Sequence, residues 1–260
     1  MMLEINSLNK EDYYYNTVPP TGLKLNDIII SYYAGTYWKI VPLRISVSYP
    51  LIHDIYEDTN NTYDITIIVC PVTLRSVVLK GYYSFEKYID NRMILKNDKQ
   101  DIMPIDLGFK ITKDNMVIHN KRLSVLIRTF RSSLMYLPDA QYMHLKKKLR
   151  KLVSTILPIS YYTNYQNKDD TPIKYDNYHP KTLVYIMQYI NNDKIEIIIG
   201  KNARPDKITG YDTKKSGLDD YFEQNDETII EQKGYYISSL LYTALEEYPQ
   251  AKILVLNSSN

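Results

Sequence analysis

The chain has 260 residues, of which 44% are hydrophobic and 24% charged, and its net charge at pH 7 is +2. This length and balance are typical of a soluble globular protein with one large domain or two small ones. A single cysteine excludes an intrachain disulfide framework, and no apolar run approaches the roughly 18 residues that a transmembrane helix needs. The start of the chain lacks the pattern of a signal peptide, so we expect a protein that is not secreted.

The N-terminal segment 1–23 is largely polar and contains three consecutive tyrosines at 13–15. We interpret it as a tyrosine-rich arm that packs on the body of the protein or on a partner, because burial of aromatic rings offsets the entropy cost of ordering. The remainder, 24–260, is expected to be a single domain.

Short apolar or alternating runs in the first half predict strands. A hairpin is expected from 27–33 and 36–41 around the Ala34-Gly35 turn. Polar residues at 58–61 predict a turn between strands, and a short helix is expected within 82–92. Further strands are expected at 44–49, 65–70, 74–79, 93–95, 103–107, 108–112 and 116–119.

The second half mixes helix and strand patterns. The segment 122–135 fits either a helix or a strand. A helix is predicted at about 139–157, since apolar residues there recur at spacings of three and four. These residues are Tyr142, Leu145, Leu149, Leu152 and Ile156.

The last hundred residues predict a hairpin from 183–190 and 194–199, a second helix at about 236–248, and a central strand at 252–256. Polar, aperiodic segments at 160–182 and 200–226 are interpreted as an excursion and a long loop. The fold class is therefore α+β, with a mixed or largely antiparallel sheet core and two main helices. No internal repeat is evident in the sequence.

Two short blocks carry a family resemblance. The sequence Pro-Leu-Arg-Ile at 42–45, followed by Asp54 and by Val-Cys-Pro at 69–71, resembles the domain of unknown function 3179 family of bacteria and archaea. Typical members read Tyr-Pro-Leu-Arg-Ile-Leu, Trp-His-Glu-Ile-Val-Asn-Asp and Thr-Tyr-Cys-Pro-Leu-Cys at similar spacing. The resemblance covers about 24–80, with a fainter match near the C-terminus.

Departures from the family pattern fall on its candidate reactive residues. The His-Glu pair of the family falls on Tyr49 and Pro50, and its second cysteine falls on Thr73. The resemblance therefore implies a scaffold that has lost groups suited to metal, redox or acid–base chemistry.

Candidate catalytic residues are few. Cys70 lies in an apolar run, which is typical of an inert core cysteine, but it coincides with a family cysteine. His53 stands beside Asp54, which could orient its imidazole, although a turn position explains the pair equally well. Arg44 completes this candidate set. The four histidines have no paired spacing, and no phosphate-binding or hydrolase motif occurs, so we expect neither a metal nor a cofactor.

A basic cluster lies within the predicted helix 139–157. Its residues are Lys146, Lys147, Lys148, Arg150 and Lys151. Clustered positive charge is typical of contact with a phosphate backbone, while a solvated helix face is the alternative.

Tyrosine is unusually abundant, with 27 Tyr against 4 Phe and 1 Trp. Ile, Asn, Lys and Asp are also frequent, and all of these residues have AT-rich codons. The composition is similar to that of proteins from large DNA viruses such as the mimivirus group, with protists and AT-rich bacteria as alternatives. Tyrosine is also favoured at protein interfaces, so codon bias and interface use remain alternatives.

Three functional hypotheses follow. The first is a non-enzymatic structural or interaction protein of a large DNA virus, located in the virion or at the viral factory in the host cytoplasm. Protein partners or self-association would then involve the arm and the 200–226 loop. The second is a nucleic-acid-associated protein that uses the basic cluster. The third is an enzyme of unknown class with its site near Cys70.

Overall fold

The computed structural model describes most of the chain, with short gaps in the first half and longer ones in the second. The described residues are 5–70, 75–89, 92–98, 102–104, 109–111, 117–119, 122–123, 125–146, 178, 182–189, 194–200 and 234–256. Within these residues, no helix is both long enough and apolar enough to cross a bilayer.

Strands dominate the described residues. In the first half they are β1 (Ser7–Leu8), β2 (Tyr13–Asn16), β3 (Ile28–Tyr33), β4 (Trp38–Pro42), β5 (Leu51–Glu57), β6 (Thr62–Val69), β7 (Ser76–Lys80), β8 (Tyr83–Ile89), β9 (Arg92–Asn97), β10 (Ile102–Pro104), β11 (Phe109–Ile111), β12 (Val117–His119), β13 (Arg122–Leu123) and β14 (Val125–Thr129). Then follow β15 (Gln141–Leu145), β16 (Leu183–Tyr189), β17 (Ile195–Ile199), β18 (Gly234–Leu240) and β19 (Lys252–Val255). The helices are α1 (Leu43–Ser48), α2 (Phe130–Tyr136), α3 (Leu241–Glu247) and a 3-10 turn at Lys10–Asp12.

Two large mixed sheets form the body of the protein. One has five strands in the order β14-β3-β4-β15-β2. The other has the order β1-β5-β6-β7-β18-β16-β17-β19, with β13 also paired to β7. Smaller sheets join β8 with β9 and β10, and β11 with β12. The α+β fold class with a sheet core is confirmed.

The two large sheets contain the same four-stranded unit. The first repeat is β3, β4, β14, α2 and β15, and the second is β16, β17, β18, α3 and β19. In each unit the two strands of a hairpin lie at the centre. The strand before the helix pairs antiparallel with the first hairpin strand, and the strand after the helix pairs parallel with the second hairpin strand. The chain therefore contains an internal structural repeat, which the sequence did not reveal.

The strand registers of the two repeats coincide. Ile30 pairs with Val41 and Ile127, and the corresponding Tyr185 pairs with Ile198 and Ser238. Residues 125–145 correspond position for position to 236–256. The backbone hydrogen bonds that end the two helices also correspond.

The helix ends show the same correspondence. Leu137 N donates to Ser133 O at 2.8 Å, and the corresponding Tyr248 N donates to Ala244 O at 2.9 Å. The backbone angles of Leu137 are φ −130° and ψ 62°, and those of Tyr248 are φ −126° and ψ 63°. A proline follows each of these residues and prevents the helix from continuing.

Apolar side chains divide the sheets into outer and inner faces. On one face of the five-stranded sheet, α2 packs against Ile29 and Ile40, while α3 packs against the corresponding Val184 and Ile197 of the other sheet. The opposite faces of the two sheets share one core. Tyr185 links the repeats across it, because its hydroxyl donates to Ile127 O at 2.5 Å and accepts from Ile127 N at 3.2 Å.

The predicted helix 139–157 is wrong at its start, because Gln141–Leu145 is β15. Tyr142 and Met143 are both buried, since this strand is covered on both faces. The helical spacing of Tyr142 and Leu145 is therefore a coincidence. The rest of the prediction, from 147 onward, lies outside the described residues.

The predicted helix 236–248 is correct only in its second half. Gly234–Leu240 is a strand held by β16, and the helix is Leu241–Glu247. The predicted strand at 44–49 is instead α1, which is buried on most sides and so shows no clear helical period. The predicted helix within 82–92 is β8. Among the strands that the structure describes, the one at 252–255 comes last in the order of its sheet, whereas the prediction placed it at the centre.

Candidate functional site

His53 and Asp54 lie on opposite faces of β5. Successive side chains of a strand alternate in direction. Accordingly, Leu51 belongs to a satellite apolar cluster and Ile52 to the shared core. His53 lies on the face of Leu51, where its Nδ1 is 3.3 Å from Thr66 Oγ1 and its ring stacks on Tyr82 with centroids 3.8 Å apart. The imidazole–carboxylate pair considered from the sequence is therefore not formed.

Cys70 is fully buried directly after β6, among aliphatic and aromatic side chains. It lies on the same face as His53, but His53 pairs with Thr66. Four residues of extended chain separate Thr66 from Cys70, a distance of about 13 Å. The thiol and the imidazole are thus too far apart to act together. Arg44 is exposed on α1, and Thr73 lies outside the described residues.

Asp54 is instead the centre of a buried polar network in the shared core, which we call the Asp54 network. Its carboxylate accepts a 2.5 Å hydrogen bond from the Tyr32 hydroxyl and a 2.8 Å bond from Lys39 Nζ. Lys39 also donates to Ile55 O at 3.1 Å. Each charge in this network is therefore balanced by its partner, as a buried ion pair requires.

Two tyrosines of the N-terminal arm complete the Asp54 network. The Tyr15 and Tyr32 hydroxyls are 2.9 Å apart, and Lys39 Nζ lies 4.6 Å from the centre of the Tyr15 ring. The Tyr13 hydroxyl donates to His53 O at 2.6 Å. Since β2, β3 and β4 belong to one large sheet and β5 to the other, the network ties the two sheets together.

The tyrosines of the Asp54 network stay protonated at neutral pH. Burial, followed by the negative charge of Asp54, raises the pKa of Tyr13, Tyr15 and Tyr32 well above the ordinary tyrosine value. For His53, burial lowers the pKa. Neutral hydroxyls can donate hydrogen bonds to the carboxylate, so the arrangement is suited to holding the strands together. Tyr32 is fully buried and Asp54 is only 5% exposed, which leaves no direct approach for a substrate to this carboxylate.

A second buried ion pair joins β7 to α3. Arg75, directly before β7, donates from Nη1 to the Glu247 carboxylate and from Nη2 to Ser239 Oγ at 3.3 Å. Both side chains are almost fully buried. The pair fixes the helix of the second repeat against the strands inserted between β4 and β14.

The remaining sequence predictions concern a metal site and the basic cluster. Among the described residues, no group of three or more His, Cys, Asp or Glu side chains could hold a metal ion. Lys146 is exposed directly after β15, while Lys147, Lys148, Arg150 and Lys151 lie outside the described residues. The same holds for 201–226 and for all of 160–182 except Tyr178 and Thr182.

An exposed apolar surface lies on α2. We define the α2 surface as Leu25, Leu134, Met135 and Tyr136, of which Met135 is the most exposed at 66%. Arg131 N donates to Leu25 O at 2.9 Å, so the loop before β3 lies beside the first turn of the helix. A cluster of exposed apolar side chains of this kind is typical of an interaction site.

Sequence reasoning missed Tyr32, Lys39 and Arg75. Their partners are distant in the chain, so no local spacing reveals them. One signal was present, because Lys39 interrupts an apolar run that was predicted to be a strand. A lysine in such a position needs an anionic partner or a path to solvent.

Comparison with known proteins gave no match to a family model, to a curated protein or to a solved structure.

Proposed function

We propose that this chain is a non-enzymatic interaction protein, a virion or assembly component of a large DNA virus, that binds a protein partner through the α2 surface. The AT-rich residue composition supports the viral origin. The separation of Cys70, His53 and Asp54 supports a role in binding, because these residues form no common site.

The observation that carries the proposal is a difference between the two repeats. Met135 on α2 corresponds to Glu246 on α3, and both side chains are exposed. The fold therefore accommodates a charged residue at this position and does not require an apolar one. A partner that covers the exposed side chain explains why Met135 is apolar.

Charges beside the α2 surface indicate the chemistry of the partner. Lys24 and Arg131 are both exposed at the end where Leu25 meets the helix. Asp139 lies beyond the opposite end. The surface therefore fits an apolar segment of a partner protein that carries acidic residues near Lys24 and Arg131.

The proposal is tested by placing a photo-cross-linking amino acid at position 135 of the full chain. The protein is expressed in the cells in which it naturally occurs. The matched control places the same group at position 246, the corresponding site of the other repeat. We expect one protein to be cross-linked from position 135 and not from 246. Equal cross-linking from both positions would count against a specific surface.

The identified protein is then purified and its affinity measured by calorimetry. The variant Met135→Glu carries the residue that the second repeat has at this position. We expect it to keep the melting temperature and to weaken binding about 10-fold, because one central contact is worth roughly 1–2 kcal/mol. An unchanged dissociation constant would refute the proposed surface.

A further inference from the structure

A buried histidine lies where the turn between β7 and β8 is fastened to β6. Thr66 is fully buried on β6, and its hydroxyl donates to Gly81 O at 2.8 Å and accepts from Tyr83 N at 3.2 Å. The Nδ1 atom of His53 lies 3.3 Å from the same hydroxyl oxygen, and its ring stacks on Tyr82. These five residues form one cluster, which we call the His53 latch.

The hydrogen bonds of Thr66 determine which nitrogen of His53 carries a proton. Because the Thr66 hydroxyl gives its own proton to Gly81 O, it can only accept from the imidazole. Nδ1 of the neutral ring is therefore the donor, and Nε2 carries no proton. Among the described residues, Nε2 has no hydrogen-bond partner.

A second proton on the ring is poorly accommodated in the closed latch. It creates a charged donor at Nε2 of a residue that is only 4% exposed, and a buried charge without a partner is costly. Burial accordingly lowers the pKa of His53, and the charge of Lys10 adds to this effect, while Asp64 and Asp98 oppose it. The closed latch therefore favours the neutral ring.

Tyr82 separates the buried ring from solvent and from two exposed carboxylates. Tyr82 is itself 41% exposed. Asp64 lies two residues before Thr66, the partner of His53 on β6, so it is on the same face of that strand. Asp98 follows Asn97, which pairs with Tyr83, and so lies beside the turn. An imidazolium that passes Tyr82 therefore reaches water and negative charge, which stabilise it.

We propose that the His53 latch is a pH-sensitive switch that opens the β7–β8 turn when His53 is protonated. The neutral ring stays beneath Tyr82 and donates to Thr66. The protonated ring turns outward towards Asp64 and Asp98, and Tyr82 must move to let it pass. Because Tyr82 belongs to the turn, this movement breaks the bond from Tyr83 N to Thr66 and leaves the sheet itself folded. The switch does not depend on the α2 surface or on the proposed function.

Amide hydrogen exchange of the full chain at pH 7.5 and at pH 5.0 tests the switch. The amide of Tyr83 reports on the turn, and the amides of β16, which is paired on both sides, report on global unfolding. After correction for intrinsic exchange rates, we expect the protection of Tyr83 to fall several-fold at pH 5.0. The fall cannot exceed about tenfold for each pH unit below 6.5, because one proton is bound. The β16 amides should still exchange more slowly than Tyr83.

Two variants separate protonation of His53 from other effects of acid. His53→Phe keeps a ring that stacks on Tyr82 and cannot be protonated, so the protection of Tyr83 should no longer depend on pH. Tyr82→Ala removes the cover at an exposed position, so the change should occur at a higher pH. Tyr37→Ala is the matched control at another exposed tyrosine and should behave like the unchanged protein.

Three results would overturn the proposal. The first is a protection of Tyr83 that is the same at both pH values. The second is a fall of equal size in His53→Phe. The third is exchange of Tyr83 and of the β16 amides at one common rate at pH 5.0, since acid would then unfold the whole protein and not the turn alone.

Discussion

Replacing Asp54 by Asn tests whether the Asp54 network holds the two sheets together. The substitution keeps the shape of the side chain and removes its charge. Two charge-assisted hydrogen bonds, from Tyr32 and Lys39, then become neutral or are lost. Hydrogen bonds to charged groups contribute about 1.5–3 kcal/mol each, against about 1 kcal/mol for neutral ones. We expect the free energy of unfolding to fall by about 2–3 kcal/mol, which lowers the melting temperature by roughly 5–10 °C.

Asp64→Asn is the matched control. Asp64 Oδ1 lies 2.7 Å from Lys10 Nζ, much like the 2.8 Å between Asp54 and Lys39. However, the Asp64 side chain is 63% exposed and that of Asp54 only 7%. An exposed ion pair contributes at most about 1 kcal/mol. Urea denaturation of both variants measures the difference, and equal losses of stability would refute the argument that burial makes the Asp54 network important.

Three further predictions follow from the same buried groups. The pKa of Tyr13, Tyr15 and Tyr32 is raised on folding, so the unfolded chain loses these protons at a lower pH than the folded chain. The free energy of unfolding therefore keeps its full value below about pH 10. Above that pH it falls by about 1.4 kcal/mol per pH unit for each tyrosine. Tyr15→Phe should reduce this slope in urea denaturation, and a slope equal to that of the unchanged protein would contradict the prediction. The pKa of His53 is lowered on folding, so its contribution to stability is present above about pH 6.5 and is lost as the pH falls below that value. His53→Phe should reduce this fall of the free energy of unfolding at acid pH. An unchanged fall in the variant would show that another group is responsible. Cys70 is fully buried, so its thiol should react with an aromatic disulfide reagent only at the rate of unfolding, and rapid labelling of the native protein would contradict this.

Strands whose apolar residues are contiguous were predictable from the sequence. The buried run at 65–70 and the hairpin at 27–41 are close to β6 and to the β3–β4 pair. Such runs reflect burial on both faces, which local composition records. The junction from β18 to α3 was not predictable, because all residues from 237 to 244, on both sides of the junction, are buried. Where every residue is buried, neither the helical nor the strand period is visible.

The Asp54 network was only partly predictable for a different reason. Asp54 was a candidate because of its neighbour His53, yet the two side chains point to opposite faces of β5. The residues that do contact Asp54 are Tyr32 and Lys39, which reach it from another sheet. A contact between sheets depends on the register of several strands, and a single sequence does not record that register.

The repeat was not visible in the sequence because the two copies have very few identical residues. What they share is the pattern of backbone hydrogen bonds and of burial. Between 125–145 and 236–256 four positions are identical. They are Leu134 and Leu245, Pro138 and Pro249, Ala140 and Ala251, and Leu145 and Leu256. Each lies in the helix, in the turn after it or in the last strand, where the geometry of the unit restricts the choice of residue.

Corresponding positions that carry opposite charges show how the two copies have diverged. Lys39 on β4 corresponds to Glu196 on β17. Lys39 reaches across to Asp54 on an inserted strand of the other sheet. Glu196 instead accepts from Lys194 at 2.8 Å and from the Tyr189 hydroxyl at 2.6 Å within its own hairpin, and it lies 3.8 Å from Lys252 on β19 of the same sheet. One position therefore joins the two large sheets in the first repeat and joins strands of a single sheet in the second.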